Sequence, residues 1–298
     1  MNRTKSTLIV AALAVMGATQ LSAQGIVVYK TDGTKVYYPA EEVDHIGTYD
    51  YGEDPQPEPG TGETKTYTAN GVSFTMIGVD GGTFQMGSTD GDSDEKPVHS
   101  VTVSSFSIGQ TEVTQQLWYA VMGQKPTSDG TQLESGYGLG DQYPAYSVSW
   151  NDIQEFLTKL NQLTGQTFRL PTEAEWEFAA RGGNSSKGYT YAGSNTIDDV
   201  AWYTTNSGSK THTVATKQAN ELGLYDMSGN VWEWCQDWYS SSYYSSSPSN
   251  NPTGPDTGSY RVLRGGSWFG DAAYCRVANR NYYTPTRRGD FLGFRLAL

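Results

Sequence analysis

Gly223-Leu-Tyr-Asp-Met-Ser-Gly-Asn-Val-Trp-Glu-Trp234 is the stretch on which the reading of this 298-residue chain turns. It sets two acids, two glycines and an amide among aromatic and aliphatic residues. That mix suits a loop whose backbone and carboxylates converge on something, rather than a plain strand, because glycine permits tight turns and buried acids need partners. Three further motifs keep it company. Upstream lies Phe168-Arg-Leu-Pro-Thr-Glu-Ala-Glu-Trp-Glu-Phe-Ala-Ala-Arg-Gly-Gly183. Downstream lie Leu263-Arg-Gly-Gly-Ser-Trp268 and Gly293-Phe-Arg-Leu296.

In this order the four motifs resemble the formylglycine-generating enzyme family, also called the sulfatase-modifying factor family, from about Ser73 to Leu298. The resemblance implies a C-type-lectin-like fold in its enlarged form, with long loops packed on a small twisted sheet. Periodicity alone predicts an α+β chain with few helices. Apolar residues recur at helical spacing over 112–122 and again over 151–163, and glycine follows each. Thr172-Glu-Ala-Glu175 is a capping box that opens a third helix to Ala180, with the glutamates on its cap and surface. Strand patterns occupy 72–77, 82–87 and 98–106. Short strands and Gly/Ser/Asn-rich loops dominate from Tyr189, with a loose, exposed insertion over 240–257.

Residues 1–23 read as a secretory signal peptide: Arg3 and Lys5, an apolar run too short to span a bilayer, and Leu21-Ser-Ala23 as cleavage site. Export to the periplasm, cell surface or extracellular space follows, and no other segment has transmembrane length. Residues 24–50 form a small hairpin segment turning at Asp32-Gly33. Residues 51–63 are a Pro/Gly-rich linker. The main domain is 64–298. Cleavage takes the formal net charge from -12 to -14, which argues against nucleic acid as a partner. Cys235 and Cys275 either pair, as export permits, or stay buried and inert.

Asp226, Gly229, Val231 and Glu233 offer two carboxylates and two carbonyls, hard-oxygen chemistry suited to Ca²⁺. The resemblance implies a structural calcium site on these four positions; the residues alone also fit a turn whose acids cap amides. The family's other calcium site falls on Val200-Ala201 and does not map. Asp90-Gly-Asp-Ser-Asp-Glu95 lacks the glycine of an EF-hand and reads as a solvated acidic loop.

Family enzymes oxidise a cysteine of a sulfatase to formylglycine with O₂ and a copper ion on two thiolates. Soft copper needs soft ligands. The first thiol position is Gly270 here, and only the second, Cys275, is present. Ser267, Tyr274 and Trp232 match the surroundings, and Phe291 replaces an asparagine. Copper is therefore not expected.

Residues 269–292 contain no Lys, Glu, Gln, Met or Trp, although these types supply 53 of the 298 residues. Every residue present can be encoded by a codon ending in C. The arrangement Gly265-Gly-Ser-Trp268, a run, Cys275-Arg-Val-Ala-Asn-Arg280, a run, Gly293-Phe-Arg-Leu296 resembles segments varied by diversity-generating retroelements; an ordinary aromatic-rich loop has the same composition. Phe269, Tyr274, Tyr282, Tyr283, Arg287, Arg288 and Phe291 suit a binding face, since Tyr and Arg anchor interfaces at low entropic cost. The reading that results is a secreted, non-catalytic member that binds an unidentified protein or glycan. The alternatives are a sulfatase-modifying oxidase and a retroelement-diversified variable binding protein.

Overall fold

A computed structural model describes residues 63–128, 131–132 and 135–298, with the backbone of the strands Leu8–Val10, Ile26–Lys30 and Lys35–Tyr38. The cleavage site Leu21-Ser-Ala23 and linker residues 51–62 lie outside the described residues. The chain divides into two compact units, Met1–Asp54 and Pro55–Leu298. In the first, Ile26–Lys30 pairs antiparallel with Lys35–Tyr38, Val28 facing Val36, and Leu8–Val10 adds on its other side. No helix among the described residues is long and apolar enough to cross a membrane.

The second unit mixes few helices with small sheets. Thr64–Ala69, Val72–Val79 and Phe106–Gly109 form a three-stranded sheet, and Gly82–Met86 pairs with His99–Val103. A four-stranded sheet runs in the order Asn281–Tyr283, Arg261–Arg264, Trp232–Trp238, Leu292–Gly293. Its last pair is parallel, Trp232 facing Leu292, so the GNVWEW and GFRL motifs lie side by side.

Helix α1 is Gln115–Met122, capped by Thr114 and stopped by Gly123 in the left-handed region. It starts three residues later than its periodicity suggested, because Glu112 is drawn into the core instead. Helix α2, Trp150–Thr164, carries a Ser149/Asp152 capping box and buries Ile153, Phe156, Leu157 and Leu160. On this face Phe156 stacks on Trp118 at 5.2 Å and meets Phe294 edge-on at 5.3 Å. Helix α3, Glu173–Ala180, has the Thr172/Glu175 capping box but is buried nearly all round. Glu173 and Glu177 are therefore interior residues, not the surface acids that the pattern suggested.

Two other expectations are corrected. The 240–257 insertion is mostly exposed, as expected, but it is not loose: Tyr244 is buried, Asn250 bridges Thr102, and Asn251 Oδ1 accepts from the Ser104 amide at 2.7 Å. The 90–95 loop is not wholly solvated. Glu95 is buried and its carboxylate takes both terminal nitrogens of Arg276, at 2.9 and 2.7 Å.

Candidate functional site

The turn at 226–233 is built on left-handed backbone. Asp226 has φ +57°, Gly229 +82° and Asn230 +60°. Only glycine fits at 229, since a Cβ there would lie 2.3 Å from the Trp202 carbonyl oxygen. The turn buries Asp226, Val231 and Glu233, and brings Glu112 among them. Glu112 accepts from Asn230 Nδ2 at 2.8 Å and from the Val231 amide at 3.2 Å. Arg295 donates to both oxygens of Glu233, each at 2.6 Å, and Trp176 Nε1 adds a third bond at 2.6 Å. Asp226 accepts from the Ala215 amide at 2.7 Å.

Three buried carboxylates thus share one guanidinium. Burial pushes Asp226 up to about 6, against the pull of the Ala215 amide and Arg295. Burial, then the charges of Asp226 and Glu233, push Glu112 well above the ordinary range. Three carboxylates against one guanidinium is an imbalance that burial meets by favouring the protonated forms of Glu112 and Asp226, and that a bound cation would relieve. The ligand geometry is less prepared, because Glu233 is already held by Arg295 and Trp176. No group of three His, Cys, Asp or Glu among the described residues is arranged to hold a metal.

A second buried network fastens the C-terminal segment. Arg264 donates to Glu177 and Glu173 and to the carbonyls of Val277 and Ala278, at 2.8 and 3.2 Å for the last two. Arg280 grips Glu173 through Nε at 2.6 Å and a terminal nitrogen at 2.8 Å. Burial works to raise Glu177, but Arg181 and Arg264 hold it below the ordinary carboxylate value. These bonds pin 275–280 to the protein interior. The runs on either side stay accessible, with Phe269 68% exposed, Tyr274 45% and Tyr282 40%.

Between those runs lies an open depression of about 610 Å³. Trp232, Ser267, Gly270, Phe269, Tyr274, Tyr283, Arg287 and Phe291 line it, with Asp271, Arg280 and Asn281. The structure therefore gathers most of the residues singled out in the sequence for the face. Two stand apart. Tyr282 points to the other side of its strand and stacks on Tyr239. Arg288 is bound to Asp152 through two bonds of 2.7 and 2.6 Å at the start of α2.

The thiols are both free and buried, in different apolar clusters. Burial pushes Cys275 up to about 12 and Cys235 well above its ordinary value. Cys275 sits behind Gly266, where a Cβ would come within 2.8 Å of its sulfur, and does not line the depression. Cys235 and Cys275 are therefore not bonded to each other.

Several residues of this site carried no signal in the sequence. Glu112 stood in a helical pattern, and Glu173 in a capping box that explained it. Asp271 and Asn281 are single polar residues in an irregular run, and only the closing of the chain puts them on the depression.

A family model described as the sulfatase-modifying factor enzyme 1-like domain matches residues 63–298. The formylglycine-generating enzyme of Streptomyces coelicolor is 33% identical over 286 residues, covering 74% of this chain and 88% of that protein. The chaperone protein LppX of Paenibacillus barcinonensis is 32% identical over 275 residues, covering 76% and 89%. Among solved structures, Treponema denticola variable protein 1 superposes with a TM-score of 0.70 at 38% identity, covering 78% of this chain and 98% of that one. Proteins with three different descriptions share this fold, so the site must decide between functions.

Proposed function

We propose, from the premise that this chain belongs to the sulfatase-modifying factor family, the family of the formylglycine-generating enzymes, that it is an exported, non-catalytic member that binds a protein or glycan through its C-terminal face. The observation that carries this is the depression itself. It keeps Trp232, Ser267 and Tyr274, yet has Gly270 where the family has a thiol, and Cys275 faces away from it. Aromatic walls and two arginines offer contact area in place of redox chemistry. The test is a Cu(I) titration of the purified protein, followed by incubation with a cysteine-containing sulfatase peptide and O₂ and a mass readout. No tight stoichiometric copper and no formylglycine are expected. Copper binding that is lost in Cys275→Ser, together with peptide conversion, would favour the oxidase reading instead.

A second reading, that residues 269–292 are diversified by a retroelement, is favoured by the burial pattern. The landmarks from Cys275 to Arg280 are mostly buried, and the runs beside them mostly are not. A scaffold can exchange such runs without refolding. Sequencing the gene neighbourhood tests this: a reverse transcriptase gene and a near-copy of the last coding segment should be present, and their absence refutes it.

Calcium is proposed as a structural ion held by Asp226, the carbonyls of Gly229 and Val231, and an oxygen that Glu233 shares with Arg295. A ligand that binds only the folded form at 100 times its dissociation constant adds about 2.7 kcal/mol. Calcium should raise the melting temperature over a chelator control, and Asp226→Asn should abolish the difference. Asp226 is the informative position, because changing Glu233 would also break its bond to Arg295. An unchanged calcium response in Asp226→Asn would show the site to be misassigned.

A further inference from the structure

Resting on the reading of the C-terminal face as a binding face, we infer that its partner is an extended protein segment that adds to the open edge of the four-stranded sheet at Asn281–Tyr283. Its alternate side chains would fall into the depression on one side and against a tyrosine stack on the other.

Among the described residues, Asn281–Tyr283 is the outermost strand of its sheet and pairs only with Arg261–Arg264. Tyr282 faces Val262 across that pair, yet its amide donates to Asn281 Oδ1 at 2.8 Å. The Tyr282 N–H therefore points away from the ladder, and the Asn281 side chain covers it. Alternation along a strand sends Asn281 and Tyr283 to one face and Tyr282 to the other. The first two line the depression. The third lies against Tyr239 and Tyr260, with ring centroids 4.0 and 5.0 Å away.

That stack is preorganised. Tyr239 Oη donates to Asp94 at 2.7 Å, and its amide donates to the Tyr260 carbonyl at 2.8 Å. Tyr239 and Tyr260 also lie outside residues 269–292, so they form a constant part of the surface whatever the segment carries. Of the six large apolar or aromatic side chains exposed among the described residues, Tyr260 and Tyr282 belong to this stack, and Phe269 and Tyr274 line the depression. A sugar or small molecule could occupy the depression but could not reach the stack behind the strand. A strand added to the edge reaches both, because its own side chains alternate in the same way. Arg287 lies over the Tyr283 ring, 5.7 Å from its centroid, on the wall of the depression, so the added segment should carry an acid beside an apolar side chain on its depression face.

The test selects a displayed library of random linear peptides on the full-length chain. Binders are synthesised and measured by calorimetry, with thermal melts to check that each variant folds. N-methylation of the peptide backbone at one or two positions should abolish binding, since main-chain hydrogen bonds hold the added strand. Tyr260→Ala should weaken binding about tenfold. Asn281→Ala should strengthen it a few-fold, because the Tyr282 N–H no longer has to be uncovered. Peptides lost with Phe269→Ala and Arg287→Ala, but indifferent to N-methylation and to Tyr260→Ala, would overturn edge addition and leave the binding face standing. Peptides indifferent to all four changes would sink both. Failure to select any peptide, binding of a glycan array alone, or a dimer in ultracentrifugation lost with Tyr282→Pro, would also overturn the proposal.

Discussion

Arg295→Met is expected to lower the unfolding free energy by about 3–5 kcal/mol, the cost of leaving a buried charge without its partner. The guanidinium is wholly buried and makes both of the Glu233 ion-pair bonds, and it also donates to the carbonyls of Gly109 and Tyr225, at 3.0 and 2.9 Å. Methionine would fill much of the volume and satisfy none of these oxygens. Glu112, Asp226 and Glu233 would then stand together with no cation. Arg295→Lys should recover part of the loss, since a point charge cannot make the bidentate bond. Urea unfolding at pH 7 in chelator measures both. A cost under about 1 kcal/mol, the scale of an exposed pair, would mean that the site admits water and that the pair is not sealed. Added calcium should offset more of the loss in Arg295→Met than it adds to the parent protein, because the uncompensated charge is larger.

Glu173→Gln is expected to cost about 3 kcal/mol and to degrade the binding face along with stability. Its carboxylate accepts two bonds from Arg280, one from Arg264 and one from Tyr244 Oη. Arg264 keeps Glu177, but Arg280 would lose both its ion-pair bonds and keep only those to the carbonyls of Asp94 and Ser240. For a domain of this size such a loss lowers the melting temperature by roughly 10 °C. Arg280 is the hinge between the pinned 275–280 stretch and the run that supplies Asn281 and Tyr283, so partner affinity should fall as well. By contrast, Phe269→Ala should leave the melting temperature nearly unchanged while weakening binding. The double substitution Glu173→Leu with Arg280→Met separates the roles of charge and shape. It should recover most of the stability, because a buried pair replaced as a whole costs less than one broken in half. If Glu173→Gln melts like the parent, the network is not what holds the segment.

Much of this protein was legible along the chain. The glycines at 123 and 165, the two capping boxes and the apolar spacing of α2 are local devices, and each acts within a few residues of where it is written. The four motifs likewise named the family because their order survives without any structure. The fate of the charged residues was not legible. Glu112, Glu173, Glu177 and Glu95 sit in patterns that suit a helix surface or a solvated loop. Each is buried because an arginine or amide from far along the chain, Asn230, Arg264, Arg280 or Arg276, arrives to satisfy it. Such pairings depend on contacts at separations above 80 residues, which no local periodicity encodes.

The same division holds at the site. The sequence by itself determined that 269–292 carries a single cysteine, Cys275, with glycine at 270, and that the segment is aromatic-rich. It could not determine which of those aromatics share a surface. Only the tertiary structure decided that Tyr283 and Phe291 meet Trp232 around one depression, that Tyr282 turns behind the strand onto Tyr239, and that Arg288 is spent on Asp152. The reason is physical. Composition sets what a segment can touch, but strand alternation, edge position and the anchoring of 275–280 set what it does touch, and all three exist only once the sheet has closed.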